Sequence, residues 1–541
     1  GVLWIVLKIK FRKRTPRIHP RLQKYAGPDS ELAQQRRQEA AKIVATIGPA
    51  CDSPELLREM IAAGMNVTRL NLSHGTLEEQ QVRITRIREA AAALETNVAI
   101  MIDTRGIEIR TGLLAPGSIE LSPGDNFTLT TTQRIGHTDG VSVSFKGLAK
   151  EVMPGTAILL DDGAIELKVI AVSDTDIKCQ VVHGGILGNS KSVNLPDTRL
   201  SISLVGPENR EDVIRELSFA SENEVEYIAA SFVQSADDIV KMREILTERN
   251  VEIPIIAKIE NKAGVANLDE IIKAADGLMV ARGDLGVELP LADVPGAQKM
   301  MIRKTVTAGK PVITATQMLA SMEWNPKPTR AEASDVANAI LDGSSAVMLS
   351  GETAVGKYPV EAVRTMATLA QRAESQLGEY GYLQTILPHP SNVVTEAVSQ
   401  AAGVMAKQLK AAAIFSLTST GFTSRLVSKH RPDCPILAIT AEKSVARRLA
   451  MNWGVLPILY SGDASDLSKI DFGIERAEKL VHGIDHHEPD PHVLAEGALD
   501  PLALAFGEGI SHGRDPERRR PPGTLPPASH GRRQREPKRQ P

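Results

Sequence analysis

The sequence lacks most of the features that mark secreted, membrane-spanning or nucleic-acid-binding proteins. Its 541 residues include only three cysteines, Cys51, Cys179 and Cys434, without the spacing of a disulfide framework or a zinc site. The formal net charge of −3 gives no overall attraction to nucleic acid or to a membrane surface. No run reaches the roughly 20 apolar residues that span a bilayer. We therefore expect a cytoplasmic protein, since isolated thiols fit a reducing compartment, with no nucleic-acid or membrane partner.

Aromatic residues are also scarce, at 3% of the chain, although 42% of all residues are hydrophobic. The cores must therefore consist mainly of Val, Ile, Leu and Ala. This aliphatic composition is typical of parallel strands that are buried on both faces and covered by helices. The length exceeds that of one ordinary domain and predicts two to four of them.

Short apolar runs of strand length recur from residue 41 onward, and amphipathic stretches of helical length lie between them. The eight runs are Ala41–Ile47, Asn66–Leu72, Val98–Asp103, Tyr227–Val233, Pro254–Ile259, Gly277–Ala281, Pro311–Thr316 and Ala346–Leu349. The helical patterns include Pro54–Ala63, Ala236–Glu248 and Arg330–Leu341, the last with a capping box formed by Thr329 and Glu332. Eight alternating units predict an α/β fold with a closed (β/α)8 TIM barrel.

The series is interrupted once, between the third strand and its helix, by a segment rich in β-branched residues and turns. We assign residues 112–207 to a mostly β lid domain, and residues 38–111 and 208–380 to the barrel. A smaller α/β domain follows at 388–483, with strands at Ala412–Leu417 and Ile436–Thr440 and helices at Val393–Leu409 and Gly421–Lys429. Residues 1–37 are expected to form a disordered extension, and 484–541 a disordered basic tail.

Polar residues stand at the carboxyl end of almost every predicted barrel strand. In chain order they are Arg69, Asn71, Ser73, Asp103, Ser231, Lys258, Glu260, Arg282, Asp284, Thr316, Ser350 and Glu352. A barrel gathers these ends on one face, which is where its active site lies. The lid emerges on the same face and could close over it.

Lys258, Glu260 and Asp284 form the central candidate site. Lys258 and Glu260 point to the same side of their strand, because the side-chain period of a strand is two, and Asp284 follows the next strand. Two carboxylates with open water positions suit Mg²⁺, and a neighbouring cation suits phosphoryl transfer, which depends on charge stabilisation. The alternative is a structural ion-pair network inside the barrel.

Two further groups could bind ligands at the same face. Gly283 lies in a tight turn whose backbone N–H groups could receive a carboxylate or phosphate; an ordinary strand-to-helix turn is the alternative. Two neighbouring strand ends offer oxygen atoms from Asn71, Ser73, Asp103 and Thr104. These oxygens could bind a monovalent cation; simple hydrogen bonding across the strand ends is the alternative. Neither a GxxxxGK[ST] loop nor a Rossmann GxGxxG motif is present, so any nucleotide must bind through strand-end Arg and Lys residues and the lid.

Seven segments, in order, resemble the motifs of pyruvate kinases. They are KIVATIGPA at 42–50, RLNLSHG at 69–75, IDTRGIEIRTG at 102–112, IAKIEN at 256–261, VARGDLG at 280–286, PVITATQML at 311–319, and the stretch 328–358 with TRAEASDVANAILDG and MLSGETAVGKYP. The resemblance extends over residues 41–459. It implies transfer of a phosphoryl group from phosphoenolpyruvate to ADP, with Mg²⁺ and K⁺ as cofactors and a homotetrameric assembly.

The resemblance also implies roles for individual residues. Lys258 would stabilise the transferred phosphoryl group and the enolate, and Glu260 and Asp284 would bind Mg²⁺. Arg69, Gly283 and Thr316 would contact phosphoenolpyruvate or pyruvate, with Thr316 near the carbon that is protonated. The remaining implied assignments are K⁺ at Asn71, Ser73, Asp103 and Thr104, and nucleotide contacts at Asn71, Ser73, His74, Arg110 and Lys191.

Some positions depart from the family pattern. They are Arg105 in place of Lys, Ile107 in place of Pro, Ser192 and Asp197 in place of Gly, and Gln234 in place of Arg. The sequence after residue 483 does not show the family's last strands and Gly-rich loop. Two other interpretations remain at this point: an aldolase or lyase acting on pyruvate-type enolates, and a non-enzymatic binding or assembly protein.

Overall fold

The computed structural model describes residues 4–7, 40–196, 198, 200–381, 393–411, 413–462 and 465–482. Most of the expected N-terminal extension, all of the expected tail, Asp197, and the first residues of the expected C-terminal domain lie outside these ranges. None of the helices in the described part of the chain has the length and apolar character that a membrane span requires.

Twenty strands occur in the described residues. In chain order they are β1 Trp4–Leu7, β2 Lys42–Thr46, β3 Met65–Asn71, β4 Ala99–Asp103, β5 Ser118–Leu121, β6 Asn126–Thr130, β7 Gly140–Ser142, β8 Ala157–Leu160, β9 Ile165–Val172, β10 Asp176–His183, β11 Gly185–Gly188, β12 Val193–Asn194, β13 Tyr227–Ala230, β14 Ile255–Ile259, β15 Gly277–Ala281, β16 Val312–Ala315, β17 Ala346–Leu349, β18 Ala413–Leu417, β19 Ile436–Thr440 and β20 Val455–Leu459.

Seventeen α-helices accompany them in the described residues. In chain order they are α1 Pro54–Ala62, α2 Leu77–Ala93, α3 Leu148–Glu151, α4 Arg210–Glu222, α5 Ala236–Glu248, α6 Lys262–Ala266, α7 Leu268–Ala274, α8 Arg282–Glu288, α9 Val294–Thr307, α10 Arg330–Leu341, α11 Gly351–Ala354, α12 Pro359–Glu374, α13 Leu377–Tyr380, α14 Val393–Leu409, α15 Phe422–Lys429, α16 Lys443–Leu449 and α17 Asp466–His482.

A closed parallel barrel dominates the structure, as the alternating pattern predicts. Its strands follow in the order β13-β14-β15-β16-β17-β2-β3-β4, and β13 pairs with β4 to close the ring. Val44, Val67, Met101, Ile256 and Met279 belong to one buried cluster within these strands. A second, larger cluster joins the strands to the helices around them. Burial on both faces explains why each strand reads as a continuous apolar run.

Strand and helix ends agree closely with the sequence. Strands β15 and β17 and helix α10 have the predicted limits, and the capping box at the start of α10 is present, with Thr329 N donating to Glu332 Oε2 over 2.7 Å. One predicted strand, Tyr227–Val233, is shorter and ends at Ala230. Phe232 explains the early end, because its φ of +56° is incompatible with a strand.

The lid interrupts the barrel between β4 and α4, where the sequence places it. Six strands form a sheet in the order β12-β8-β9-β10-β6-β7, and β11 pairs with β5 beside it. A separate cluster of buried apolar residues, including Phe127, Leu129 and Leu167, forms its core. Asp161, Asp162 and Gly163, which join β8 to β9, have positive φ at all three residues. The lid is therefore a small domain with its own core, attached at the carboxyl ends of the barrel strands.

The C-terminal domain contains a parallel sheet of β18, β19 and β20. Its outer edge at β18 is covered by β1, which pairs antiparallel with it from Trp4 opposite Ser416 to Leu7 opposite Ala413. The sequence predicts a disordered extension that includes these four residues, but in the structure they form a strand. An uncovered edge strand leaves unpaired N–H and C=O groups, and β1 supplies partners for them.

The C-terminal domain also closes the lower end of the barrel. Ala450 and Met451, just after α16, are buried in the same cluster as barrel residues such as Met101 and Ile256. Tyr227, at the start of β13, donates its hydroxyl to the carbonyl of Arg448 over 2.7 Å. The barrel's upper end, where the strands finish, is left for the lid and the site.

Candidate active site at the carboxyl ends of the barrel strands

Lys258 is the centre of a polar cluster at the upper end of the barrel. It lies on β14 and is only 8% exposed. Its ammonium group donates to Asp103 Oδ1 over 3.0 Å and to Ser231 Oγ over 2.7 Å, and lies 2.9 Å from Glu260 Oε1. Three neighbouring strands, β4, β13 and β14, therefore direct polar side chains to one point.

The charges of this cluster stabilise one another. Burial lowers the pKa of Lys258, but the carboxylates of Asp103 and Glu260 outweigh it and leave the pKa above its usual value. Burial likewise raises the pKa of Asp103, while the charges of Arg69 and Lys258 outweigh it and lower the pKa overall. Lys258 is therefore a permanent cation in a largely water-excluded site, where a charge acts most strongly on a neighbouring anion.

Arg69 joins the cluster from β3. Its Nε donates to Asp103 Oδ2 over 2.6 Å, and its Nη1 donates to Thr46 Oγ1 over 3.1 Å. The side chain is 12% exposed. Asp103 thus lies between two cations and fixes the position of both.

Glu260 and Asp284 lie side by side and form an acidic pair. Glu260 accepts a hydrogen bond from Phe232 N, and the Asp284 side chain is hydrogen-bonded to Glu260. Burial and then the charge of Glu260 raise the pKa of Asp284 to about 7. A buried and a half-buried carboxyl group in contact need a proton or a cation between them, so this pair fits a divalent metal. Groups of three or more His, Cys, Asp or Glu suited to a metal are absent from the described residues, and Mg²⁺ needs only one or two carboxylates beside water and substrate.

Gly283 and Thr316 meet across β15 and β16. Gly283 N donates to Thr316 Oγ1 over 2.8 Å, and the same hydroxyl donates to the carbonyl of Ala315 over 2.7 Å. Gly283 is the second residue of α8, so the expected turn that exposes backbone N–H groups is a helix start. Thr316 has a φ of +68°, which is exceptional for a β-branched residue.

The four residues of the expected monovalent cation site also come from neighbouring strand ends. Asn71 and Asp103 are directly opposite each other in the pairing of β3 with β4. Asn71 Oδ1 accepts from Ser73 N over 3.0 Å, and Thr104 Oγ1 accepts from Ser231 N over 3.2 Å. Amide, hydroxyl and carboxylate oxygens in one place suit a hard monovalent ion, so this set of donors fits K⁺.

Three residues are expected to contact the nucleotide and no other ligand, and they lie in two separate places. They are Arg110, Lys191 and His74. Arg110 and Lys191 are adjacent at the base of the lid, where Thr111 N donates to the carbonyl of Lys191 over 2.8 Å. Arg110 pairs with Glu108 and Lys191 with Asp161, at 2.8 and 2.9 Å, and both cations are about two-fifths exposed. His74 is exposed beyond the end of β3. The two lid cations are therefore partly accessible to an anionic ligand.

Several residues that support the site were not assigned a role from sequence. Phe232 orients Glu260 through its backbone, and Gln80, which is buried, donates to the carbonyls of Asn71 and His74 over 3.2 and 2.8 Å. Arg105 donates to the carbonyl of Leu72 over 2.8 Å. For Gln80, the available sequence signal is a polar residue on the buried face of a helix. No sequence signal points to the contact of Phe232 with Glu260, because that contact depends on backbone conformation.

A cleft of about 430 Å³ opens between the lid and the barrel beside the acidic pair. Asp284, Phe232 and Asn261 line its barrel side, and Ser192 and Asn194 line its lid side. The cleft therefore borders the acidic pair at Asp284.

Two family models match the chain. The model "Pyruvate kinase, barrel domain" covers residues 38–363 and "Pyruvate kinase, alpha/beta domain" covers residues 396–493. The first alone accounts for more than half of the chain. The second match extends past residue 483, after which the sequence alone does not show the family's last strands and Gly-rich loop.

Curated relatives and a solved structure agree with these matches. The pyruvate kinase of Geobacillus stearothermophilus is 48% identical over 433 residues, covering 80% of this chain and 72% of that protein. That of Clostridium acetobutylicum is 44% identical over 438 residues, covering 81% and 92%. The crystal structure of a pyruvate kinase from Cryptosporidium parvum superimposes with a TM-score of 0.78 at 40% identity, covering 84% of this chain and 93% of that one.

Proposed function

This chain belongs to the pyruvate kinase family, and we propose that Lys258, Arg69 and Thr316 are the residues that carry out its reaction. The enzyme is a phosphotransferase that transfers the phosphoryl group of phosphoenolpyruvate to ADP, which gives pyruvate and ATP in glycolysis. The aldolase or lyase and the assembly-protein interpretations are thereby set aside.

The observation that carries the residue assignment is the placement of Lys258. Its ammonium is buried among Asp103, Ser231 and Glu260, and Glu260 contacts Asp284, which lines the cleft under the lid. A fixed cation here would balance the negative charge of the phosphoryl group during transfer and then that of the enolate. Because Asp103 and Ser231 already hold the ammonium, no reorganisation is needed as the charge develops.

Pyruvate kinases generally require a divalent metal and K⁺, and Glu260 and Asp284 are our candidates for Mg²⁺. The fit rests on their contact, because two adjacent carboxylates repel each other unless a proton or a cation lies between them. Bound there, Mg²⁺ would supply Lewis-acid stabilisation of phosphoryl oxygens. Asn71, Ser73, Asp103 and Thr104 are our candidates for K⁺.

Arg69, Gly283, Asp284 and Thr316 surround the position proposed for phosphoenolpyruvate. Arg69 is oriented by Asp103 and Thr46 and would bind the substrate's anionic groups. The Gly283 backbone, whose N–H donates to Thr316 Oγ1, would contact the substrate beside that hydroxyl. The Thr316 hydroxyl would act on the side where the enolate carbon takes its proton.

The nucleotide is proposed to bind between the barrel and the lid. Arg110 and Lys191 would contact its phosphates from the lid, and Asn71, Ser73 and His74 would contact it from the end of β3. The ion pairs that Arg110 and Lys191 form with Glu108 and Asp161 are partly exposed. Replacing them with contacts to the nucleotide phosphates should therefore cost little free energy.

We also propose a cytoplasmic homotetramer, the assembly implied by the family resemblance. The proposed domain limits are 38–111 with 208–380 for the barrel, 112–207 for the lid and 388–483 for the C-terminal domain. Residues 1–37 and 484–541 would lie outside these three domains, with β1 as the element that returns to the C-terminal sheet.

A coupled assay of pyruvate release tests the assignment of cofactors and substrates together. Phosphoenolpyruvate is supplied with and without ADP, Mg²⁺ and K⁺, with tetramethylammonium replacing K⁺ at constant ionic strength. We expect turnover only with ADP and Mg²⁺, and a strong increase with K⁺. Turnover that does not depend on K⁺ would contradict the proposed K⁺ site but not the kinase activity.

A further inference from the structure

Thr316 has a backbone conformation that its side chain disfavours. Its φ is +68° and that of Gln317 is +54°, directly after β16. Left-handed backbone is rare for β-branched residues and persists only where the surrounding structure enforces it. A neighbouring group must therefore hold Thr316 in this conformation.

Arg282 is that group. Its Nη2 donates to the carbonyl of Thr316 over 2.7 Å, and its Nε lies within hydrogen-bonding distance, 3.3 Å, of the carbonyl of Ala315. These two carbonyls belong to the peptide groups on either side of the Thr316 Cα. One guanidinium thus holds both peptide planes, and the two planes together define φ and ψ of Thr316.

The guanidinium is itself held from the opposite side. Its Nη1 lies 2.6 Å from Asp335 Oδ2, on α10, and 3.4 Å from Gln298 Oε1, on α9. The Arg282 side chain is only 11% exposed. A planar, fork-shaped donor with a carboxylate on one side and two carbonyls on the other has little freedom to move.

We propose that Arg282 is a positioning residue that keeps Thr316 in its left-handed conformation, so that the Thr316 hydroxyl stays beside Gly283 N and faces the substrate. The inference rests on the proposed role of Thr316 at the carbon that takes the proton. Arg282 acts through Thr316 and not on the transferred phosphoryl group, which lies with Lys258. Loss of the guanidinium should therefore slow proton transfer more than phosphoryl transfer.

The test compares the two half-reactions in Arg282→Lys. Lysine keeps the charge, but one ammonium cannot bridge both carbonyls and Asp335. Phosphoryl transfer is followed as ATP formation, and proton transfer as exchange of pyruvate methyl protons in D₂O by NMR, both with Mg²⁺ and K⁺ present. We expect exchange to fall about 100-fold, within the range of general acid–base catalysis, and ATP formation to fall less than about tenfold.

Arg243→Lys is the matched control. Arg243 also donates to a backbone carbonyl, that of Ala274 at 2.9 Å, and pairs with Asp276 at 2.6 Å. Arg243 lies on α5 and its two partners lie just before the start of β15, at the opposite end of the barrel, so both rates should stay near those of the wild-type enzyme. Equal losses of both rates in Arg282→Lys would indicate a structural role and overturn the proposal.

Thr316→Ala separates this inference from the proposed function. If Thr316→Ala leaves exchange unchanged, the role of Thr316 falls and the inference with it. If Thr316→Ala lowers exchange but Arg282→Lys behaves like Arg243→Lys, only the inference falls. We expect the double variant Arg282→Lys/Thr316→Ala to be no slower in exchange than Thr316→Ala, because residues that act as one unit are not additive. If Arg282→Lys fails to fold, Asp335→Asn replaces it in the test, because this variant leaves Arg282 in place. We expect Asp335→Asn to lower proton exchange more than ATP formation, but by a smaller factor than Arg282→Lys.

Discussion

Lys258 Nζ lies 2.9 Å from Glu260 Oε1, two residues further along the chain and one residue past the end of β14. Lys258 contacts Asp103, and Glu260 contacts Asp284. These two neighbouring residues are proposed for two different roles, the stabilisation of charge and the binding of Mg²⁺. A shift of β14 along the barrel would move Lys258 and Glu260 together. One segment of chain therefore sets the relative position of the proposed charge stabiliser and a proposed Mg²⁺ ligand.

Replacing Lys258 with Met should lower kcat by about 100- to 1,000-fold, the usual loss when one transition-state stabilising group is removed. Methionine fills a similar volume without charge, so packing should be retained. Steady-state kinetics measures kcat, and Mn²⁺ binding followed by water-proton relaxation checks that the metal site persists. Lys304→Met, which removes a partly exposed ion pair with Asp269, is the control and should keep normal turnover. Near-normal turnover in Lys258→Met would contradict its assignment.

Divalent metal binding should weaken as the pH falls below about 7. The raised pKa of Asp284, about 7, means that the free enzyme holds a proton at this carboxyl in acid solution, and metal must displace it. We expect apparent Mn²⁺ affinity to be about tenfold lower at pH 6 than at pH 8. Asp284→Asn should bind Mn²⁺ more weakly and lose most of the pH dependence.

Glu288→Gln is the control for this titration, because Glu288 lies one turn further along α8 and contacts Asn194 of the lid. It should retain the pH dependence of the wild-type enzyme. Metal affinity that is independent of pH in the wild-type enzyme would show that Asp284 is not a ligand.

Much of this site was predictable because the barrel imposes simple rules on the sequence. Strands buried on both faces are apolar throughout, so a charged residue at the end of one, such as Lys258 or Asp103, stands out. The closure of the barrel then brings those ends together without further information. The same rule predicted the lid's position, since an insertion after β4 must emerge at that end.

Other features depend on contacts that no local pattern encodes. The left-handed conformations of Phe232 and Thr316 arise from tertiary hydrogen bonds, and neither residue type favours them. The antiparallel pairing of β1 with β18 joins segments about 400 residues apart in the chain. Four apolar residues followed by a basic stretch gave no sign of the strand's partner.

Glu374 should make the protein less stable as the pH rises from about 5 to above 7. Burial raises the pKa of this carboxyl from 4.5 to about 7, although hydrogen bonds from Ala40 and Ala41 and the charges of Lys42 and Arg431 lower it in part. The folded state therefore binds the proton more tightly than the unfolded state. This contribution is fully present below pH 4.5 and is lost as the pH rises through about 7; its size is on the order of 3 kcal/mol.

Glu374→Gln tests this dependence by mimicking the protonated carboxyl. Its amide oxygen can still accept from Ala41 N, which now donates to Glu374 Oε1 over 2.7 Å. Thermal unfolding should show the variant close to wild type at pH 5 and more stable at pH 8. Glu361→Gln, at an exposed position on the same helix, should follow the wild-type curve. A variant that tracks wild type at both pH values would show that Glu374 titrates normally.

Met451→Ala should destabilise the protein by about 2–5 kcal/mol, the usual cost of truncating a fully buried methionine. Met451 is 0% exposed and packs with barrel residues such as Met101 and Ile256, although it belongs to the C-terminal domain. The cavity would open at the lower end of the barrel, far from the cluster around Lys258. We therefore expect a lower unfolding temperature with kcat nearly unchanged at 25 °C.

Met153→Ala provides the comparison, because Met153 is 69% exposed in the lid and its truncation should change the unfolding temperature little. If Met451 closes the barrel as the packing indicates, its loss should also reduce the cooperativity of unfolding, since the two domains share that cluster. Equal unfolding temperatures for Met451→Ala and Met153→Ala would mean that the C-terminal domain contributes little to the barrel core. A fall in kcat as large as that of Lys258→Met would instead mean that the lower end of the barrel affects the geometry of the site.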